Sequence, residues 1–181
     1  MLVLDLYFED PAVAALYADR PVCQEGYVPD RKQCPDSGFD MICLKDVELK
    51  AGEQAKFDFG VRGVMWEPDG VDEDGNEILV RSGYFLVPRS SFNDTQLVMQ
   101  NAPGTLDAGY GGTIRMKVRA LDKFEIMKND MLGQLVHPSL RPFAVRIHEG
   151  LPPAELTTKR GEGGFGSTGN TAARGSTHVA E

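Results

Sequence analysis

An all-β sandwich or barrel is the fold class this sequence predicts, and three kinds of observation predict it. Strand-period alternation recurs along the chain, Gly- and Pro-bearing turns punctuate it, and only one short stretch has helical character. Taken in order, Met1-Leu2-Val3-Leu4-Asp5 has no basic n-region and its apolar run breaks at Asp5, so it is not expected to be a signal peptide. Asp10-Pro11 followed by Ala12 to Tyr17 predicts a helix, with an N-cap and a proline at its first position. Phe57, Phe59 and Val61 alternate with Lys56, Asp58 and Arg62, which predicts one strand with a buried and a wet face. Asp72-Glu73-Asp74-Gly75-Asn76 is a turn signal. Ile78 to Val80 and Tyr84 to Val87 are apolar runs bracketing a bend at Ser82-Gly83. Ile114, Met116 and Val118 alternate with Arg115, Lys117 and Arg119, and Phe143, Val145 and Ile147 with Arg146 and His148. The expected barrel domain therefore covers 1–150. Pro152-Pro153 then opens a C-terminal arm, 151–181, carrying a glycine-rich segment and a flexible tail.

Composition narrows the function. At 181 residues there is room for one domain with a real core. A net charge of −8 argues against nonspecific binding to nucleic acid or an anionic membrane. A small polyanionic ligand remains possible, because local arginines and backbone N–H groups act against the global charge. No run approaches the roughly 18 apolar residues of a membrane span. Three cysteines, Cys23, Cys34 and Cys43, fit a reducing intracellular compartment, cytoplasmic or, in a eukaryotic or viral setting, nuclear. His137, His148 and His178 are scattered, so no zinc site is expected, and the first two are expected at the surface or at strand ends.

Five segments carry candidate chemistry. Ser37-Gly38-Phe39-Asp40-Met41 places a carboxylate after a glycine turn. Pro88-Arg89-Ser90-Ser91 ends a strand with a guanidinium and two hydroxyls, groups suited to forked phosphate contacts. Asn101 to Gly112 is a glycine-dense hairpin bearing an amide, a carboxylate (Asp107) and an aromatic ring (Tyr110). Asp130 to Val136 starts a strand with a carboxamide, Gln134. Arg160-Gly161-Glu162-Gly163-Gly164-Phe165-Gly166-Ser167-Thr168-Gly169 joins an arginine, an aromatic ring and two hydroxyls in a glycine-rich run, suited to clamping a phosphorylated, base-bearing ligand. Gly161 and Gly166 have P-loop spacing, but Ser167 stands in place of the lysine, and no strand precedes or helix follows. Singly, each segment is explained equally well as a surface turn or a polar tail.

Together and in this order, the five segments resemble the five motifs of the trimeric dUTP diphosphatase (dUTPase) family, from Ser37 to Gly169. That resemblance implies a jelly-roll-like barrel and a homotrimer whose active sites lie at subunit interfaces, closed by the arm of another subunit. It implies hydrolysis of dUTP to dUMP and diphosphate by in-line water attack on the α-phosphorus. Such a reaction limits uracil incorporation into DNA and supplies dUMP for thymidylate synthesis. Asp107 would orient and deprotonate the water, and Tyr110 would pack under the deoxyribose. Asn101 with the backbone of Gly104, Thr105 and Leu106 would read the uracil edge. Arg89, Ser90, Ser91 and Gln134 would hold the phosphate chain. Arg160, Gly166, Ser167 and Thr168 would grip its γ end, with Phe165 stacked on the base. Mg²⁺ would sit on the triphosphate and water with no direct protein ligand, leaving Asp40 as an outer-sphere or scaffold carboxylate.

The chain departs from the family pattern in places. Where the fourth motif usually reads Gly-Asp-Arg-Ile-Ala-Gln, it reads Asn129-Asp130-Met131-Leu132-Gly133-Gln134, without the arginine. The first motif has Phe39 for a tyrosine, the first 36 residues carry no motif, and 65–83 reads as an added surface hairpin. Two alternatives stay open: a dCTP deaminase, against which Lys117 stands where a catalytic glutamate is needed, and a catalytically impaired binding or regulatory member of the fold.

Overall fold

The structure, a computed structural model, describes residues 1–156, 158 and 161. Thirteen strands and one α-helix occupy the described residues. Strand β1 (Val3–Phe8) is followed by helix α1 (Pro11–Ala18), capped by the Asp10 carboxylate, which accepts from Ala12 N–H at 2.9 Å. Next come β2 (Gly38–Met41), β3 (Val47–Leu49), β4 (Gln54–Asp58) and β5 (Val61–Val71). Strands β6 (Glu77–Ser82), β7 (Tyr84–Pro88), β8 (Leu97–Met99) and β9 (Gly104–Leu106) continue the chain. Strands β10 (Arg115–Ala120), β11 (Phe124–Ile126), β12 (Gly133–Val136) and β13 (Ala144–Glu149) complete it.

These strands form four small sheets, ordered β13-β1-β5-β6, β4-β10-β8, β11-β3 and β2-β12-β7-β9, with β1 and β13 the parallel pair. Side chains from all four sheets, including Leu6, Phe57, Leu86, Met116, Ile126 and Leu135, meet in one contiguous core. The fold is all-β and jelly-roll-like.

Where one face of a strand is wet, alternation reads true. In β10, Met116, Val118 and Ala120 are buried between more exposed Lys117 and Arg119. Several expectations need correction. The Phe57–Arg62 alternation is not one strand: β4 stops at Asp58, Gly60 turns the chain at φ +66°, and β5 starts in a different sheet. The 65–83 hairpin is not merely added: the base of β5 pairs with β1 and buries Met65, while the Asp72–Asn76 tip is exposed. Strand β1 carries no motif yet is buried on both faces. Leu4, Leu6 and Phe8 belong to the core. On the other face Asp5, 3% exposed, accepts from Arg146 Nε at 2.6 Å, Arg146 Nη2 at 2.7 Å and Trp66 Nε1 at 2.7 Å. His148 Nε2 lies 2.7 Å from the same carboxylate and its ring stacks on Tyr7, so neither Arg146 nor His148 merely faces water.

His137 stands at a strand end, directly after β12, but not at the surface. It is 5% exposed, its Nδ1 accepting from Ser139 N–H at 3.2 Å and its Nε2 lying 3.3 Å from Glu67 Oε2. No helix among the described residues is long and apolar enough to cross a membrane, and Cys23, Cys34 and Cys43 are unbridged.

Candidate active site

The sheet β2-β12-β7-β9 gathers the residues of the first, second and fourth segments. Register pairs Gln134 of β12 with Asp40 of β2 on one side and Val87 of β7 on the other. Arg89 and Ser90 follow directly where β7 ends. Around them lies an open pocket of about 590 Å³ lined by Asp40, Val87, Arg89, Ser90, Gln134 and neighbours. Ser91 is exposed in the 3₁₀ turn Ser90–Asp94 and does not line it.

Local packing fixes these side chains. Gly38 is not a turn residue but the first residue of β2. A Cβ there would lie 2.0 Å from Gln134 Oε1, so the missing side chain makes room for the carboxamide. Arg89 Nε pairs with Asp40 Oδ1 at 2.9 Å, its Nη1 donates to Met131 O at 3.2 Å, and its backbone N–H donates to Leu132 O at 3.0 Å. The Asp40 carboxylate is thus engaged by Arg89.

The third segment joins the same sheet through β9, with its Asp107 turn at the far end of β7, and is not a self-paired hairpin. Strand β8 joins β10, whereas β9 crosses to pair with β7, Leu106 opposite Tyr84. Asp107, half-buried, therefore sits beside Gly83, where an added Cβ would come within 4.0 Å of the Asp107 Cα. At about 3.4 Å per residue, six residues of extended chain put Arg89 roughly 20 Å away. The single chain does not bring Asp107 to the Arg89 pocket.

The turn after Asp107 is braced on several sides. Tyr110 N–H donates to Asp107 O at 2.9 Å, and the Tyr110 hydroxyl to Thr113 O at 2.9 Å. The Tyr110 ring lies over Gly112, where a Cβ would approach its hydroxyl to 2.5 Å. Arg62 Nε donates to Gly111 O at 3.1 Å, Thr158 Oγ1 donates to Gly109 O, and Gly111 N–H donates to Gly161 O at 3.0 Å. Asn101 is latched to β10: its Nδ2 donates to Arg115 O at 3.3 Å and its Oδ1 accepts from Lys117 N–H at 2.9 Å. These two bonds use one of the carboxamide's two protons and one of its oxygen's two lone pairs. Gly104 and exposed Thr105 pair with Leu86 and Phe85, and Leu106 is buried.

Arg160, Phe165, Gly166, Ser167 and Thr168 lie outside the described residues. The residues that sequence reasoning missed are Arg62, Arg81 and Arg20. Arg81 donates from Nη1 to Leu156 O at 2.9 Å and from Nη2 to Glu155 O at 3.1 Å, anchoring the start of the arm. Arg20 donates to Asp40 O at 2.6 Å. No local pattern marks these three, because each acts on a backbone carbonyl far away in sequence.

The buried side chains nearby are chemically quiet. Burial pushes the Tyr17 hydroxyl up to about 12, keeping it a neutral acceptor for Ile42 N–H at 2.9 Å. Burial likewise pushes the Cys43 thiol up to about 12. Among the described residues no group of three or more His, Cys, Asp or Glu side chains could hold a metal ion. The Arg89 pocket offers a cation, the hydroxyls of Ser37 and Ser90 and a carboxamide, with one carboxylate, Asp40, tied to Arg89 and a second, Asp36, also in its lining. The cation, hydroxyls and carboxamide of that set fit an anion and the hydrated Mg²⁺ such an anion carries.

No family model matches the chain. Curated relatives do. The deoxyuridine 5′-triphosphate nucleotidohydrolase of Cutibacterium acnes is 35% identical over 139 residues, 76% of this chain and 82% of its own length. That of Streptomyces avermitilis is 37% identical over 145 residues, covering 77% and 73%. That of Mycolicibacterium gilvum is 33% identical over 165 residues, covering 89% and 96%. Among solved structures, the Staphylococcus bacteriophage 80alpha dUTPase aligns at 18% identity over 74% of this chain and 87% of that one. Its TM-score of 0.46 is too low to add weight. On identity sustained over most of both sequences, the chain belongs to the deoxyuridine 5′-triphosphate nucleotidohydrolase (dUTPase) family.

Proposed function

We propose that the protein hydrolyses dUTP to dUMP and diphosphate in a homotrimer with shared active sites. The observation that carries this reading is the division of labour in the fold. One sheet end presents an anion pocket of Arg89, Ser90 and Gln134, and the acid Asp107 sits roughly 20 Å away. A second copy supplying its Asp107 turn to the first copy's pocket completes a site that one chain leaves divided.

Water attacks the α-phosphorus in line, the bond to the bridging oxygen breaks, and diphosphate leaves with the electron pair. Asp107 orients the water and takes its proton, and also contacts the 3′-hydroxyl. Positioning and charge stabilisation supply most of the rate. Arg89, Ser90 and Gln134 hold the phosphate chain, and exposed Ser91 lies beside them. Tyr110, its ring fixed by Thr113 and Gly112, packs under the deoxyribose where a 2′-hydroxyl would clash. The spare donor and acceptor of Asn101, with the backbone of Gly104, Thr105 and Leu106, read the uracil edge. Cytosine reverses that pattern and leaves buried polar groups unpaired. Arg160, Gly166, Ser167 and Thr168 grip the γ end, and Phe165 stacks on the base. Mg²⁺, when bound to the triphosphate, neutralises part of its charge. This reading fits a protein of the cytoplasm, or of the nucleus in a eukaryotic or viral setting, that limits uracil incorporation and supplies dUMP for thymidylate.

A diphosphate-release assay with dUTP, dCTP, dTTP and UTP tests the reading. Turnover of dUTP well above the other three is expected. Ammonia release from dCTP would replace this reading with deamination, and binding of dUTP without turnover would replace it with an idle module.

A further inference from the structure

We infer that Arg20, in the N-terminal stretch that carries no motif, is a positioning residue for the phosphate pocket, acting through Asp40 on Arg89. The inference rests on the reading of Arg89 as a phosphate ligand. Arg20 follows α1, its N–H closing onto Tyr17 O at 3.1 Å. Its guanidinium lies 4.6 Å from the Tyr17 ring centre and 4.8 Å from that of Phe39. Nη1 donates to Asp40 O at 2.6 Å, and Nη2 lies 3.7 Å from Met131 Sδ.

Arg20 and Arg89 therefore hold the same two pieces of chain from opposite sides. Arg20 takes the carbonyl of Asp40 and touches the Met131 side chain. Arg89 takes the carboxylate of Asp40 and the Met131 carbonyl. Strand β2 lines the pocket through Gly38 and Asp40, and the turn holding Met131 leads into β12, which lines it through Gln134 and Val136, so the two guanidiniums tie together the strand and the turn that position these side chains. A charge-assisted bond to a strand carbonyl, made by a flat cation packed against two rings, resists sliding of that strand. The stretch Asn129–Gln134 has no arginine of its own, and Arg20 brings one to the side of Met131 from another element. Two arms of the cation point at protein atoms and two rings lie against it, so its role is to aim Arg89 rather than to bind phosphate itself.

Steady-state kinetics with dUTP and Mg²⁺ on the full chain test this, using Arg20→Ala, Arg20→Lys, Met131→Arg, the double variant Arg20→Ala/Met131→Arg, and Arg89→Ala as reference. Arg20→Ala is expected to lower kcat/KM on the order of 10- to 100-fold through misplacement of the anion grip. The loss should fall mainly on KM. An arginine at 131 starts beside the vacated place, so the double variant should regain most of the loss. Arg20→Lys keeps the charge but not the flat stacked fork, and its KM should rise by several-fold. Wild-type kcat/KM in Arg20→Ala overturns the inference, as does a double variant no better than Arg20→Ala. Should Arg20→Ala fail to fold, an unchanged KM in Arg20→Lys overturns it. If Arg89→Ala itself keeps wild-type kcat/KM, the phosphate reading of the pocket fails instead.

Discussion

Gln134 and Gly38 fix each other. Any side chain at 38 would occupy the carboxamide's place, since its Cβ would meet Oε1 at 2.0 Å. Gly38→Ala should turn Gln134 out of the pocket and lower kcat/KM on the order of tenfold or more, with little change in melting temperature. Kinetics equal to wild type would show that Gln134 does not grip phosphate. Asp107→Asn should fold normally and still bind a nonhydrolysable dUTP analogue while turnover falls by about 10²–10⁴-fold, the usual worth of a general base. Near-full activity would remove Asp107 from that role. Asp40, Arg89, Ser90 and Gln134 stand out in sequence because each sits in a short polar run at a strand end or turn, and the runs gain meaning from their order along the chain. Arg20 is not, since its partner Met131 lies 111 residues away and only the docking of α1 on β2 brings them together.

Legibility at the level of elements follows which faces are covered. Strand β10 and helix α1 are readable, one from its alternation and the other from its cap and proline. Strand β1 is not, because a strand buried on both faces shows no period of two. The Phe57–Val61 alternation misleads for a related reason, as the period carries through the Gly60 turn while the sheet changes. The start of the arm is tied down by Arg81 through Glu155 and Leu156, whereas Thr158 and Gly161 reach the Asp107 turn. Truncation after Leu156 leaves the Arg81 anchor and removes the brace together with the glycine segment. The truncated protein should keep its melting temperature and assembly and lose nearly all hydrolysis. A truncated protein as fast as the full chain would reduce the segment to a tail.

For the whole molecule, the separation of Arg89 from Asp107 along β7 is the feature on which the proposed shared site of a trimer rests. Light scattering should give three times the chain mass. Arg89→Ala and Asp107→Asn proteins, each nearly inactive alone, should recover activity after subunit exchange, because a mixed trimer contains interfaces with both residues intact. Failure of the mixture to recover, with exchange verified by mass, would mean that one subunit holds a whole site.

The carboxylate that stitches β1 to β5 and β13 also makes the barrel answer to protons. Burial alone would push Asp5 up, but bonds from Arg146, His148 and Trp66 outweigh it and hold the carboxyl below its ordinary value. A depressed acid contributes stability that is fully present above its unfolded value, about 3.9, and is lost as pH falls through the folded one. Acid should therefore loosen the β13-β1-β5 seam, with Tyr7, Arg81 and Glu155 the other titratable groups near that face. Asp5→Asn should melt lower than wild type at neutral pH, and the gap should narrow on going to about pH 3. A gap of constant size across that range would place the acid sensitivity of the fold elsewhere.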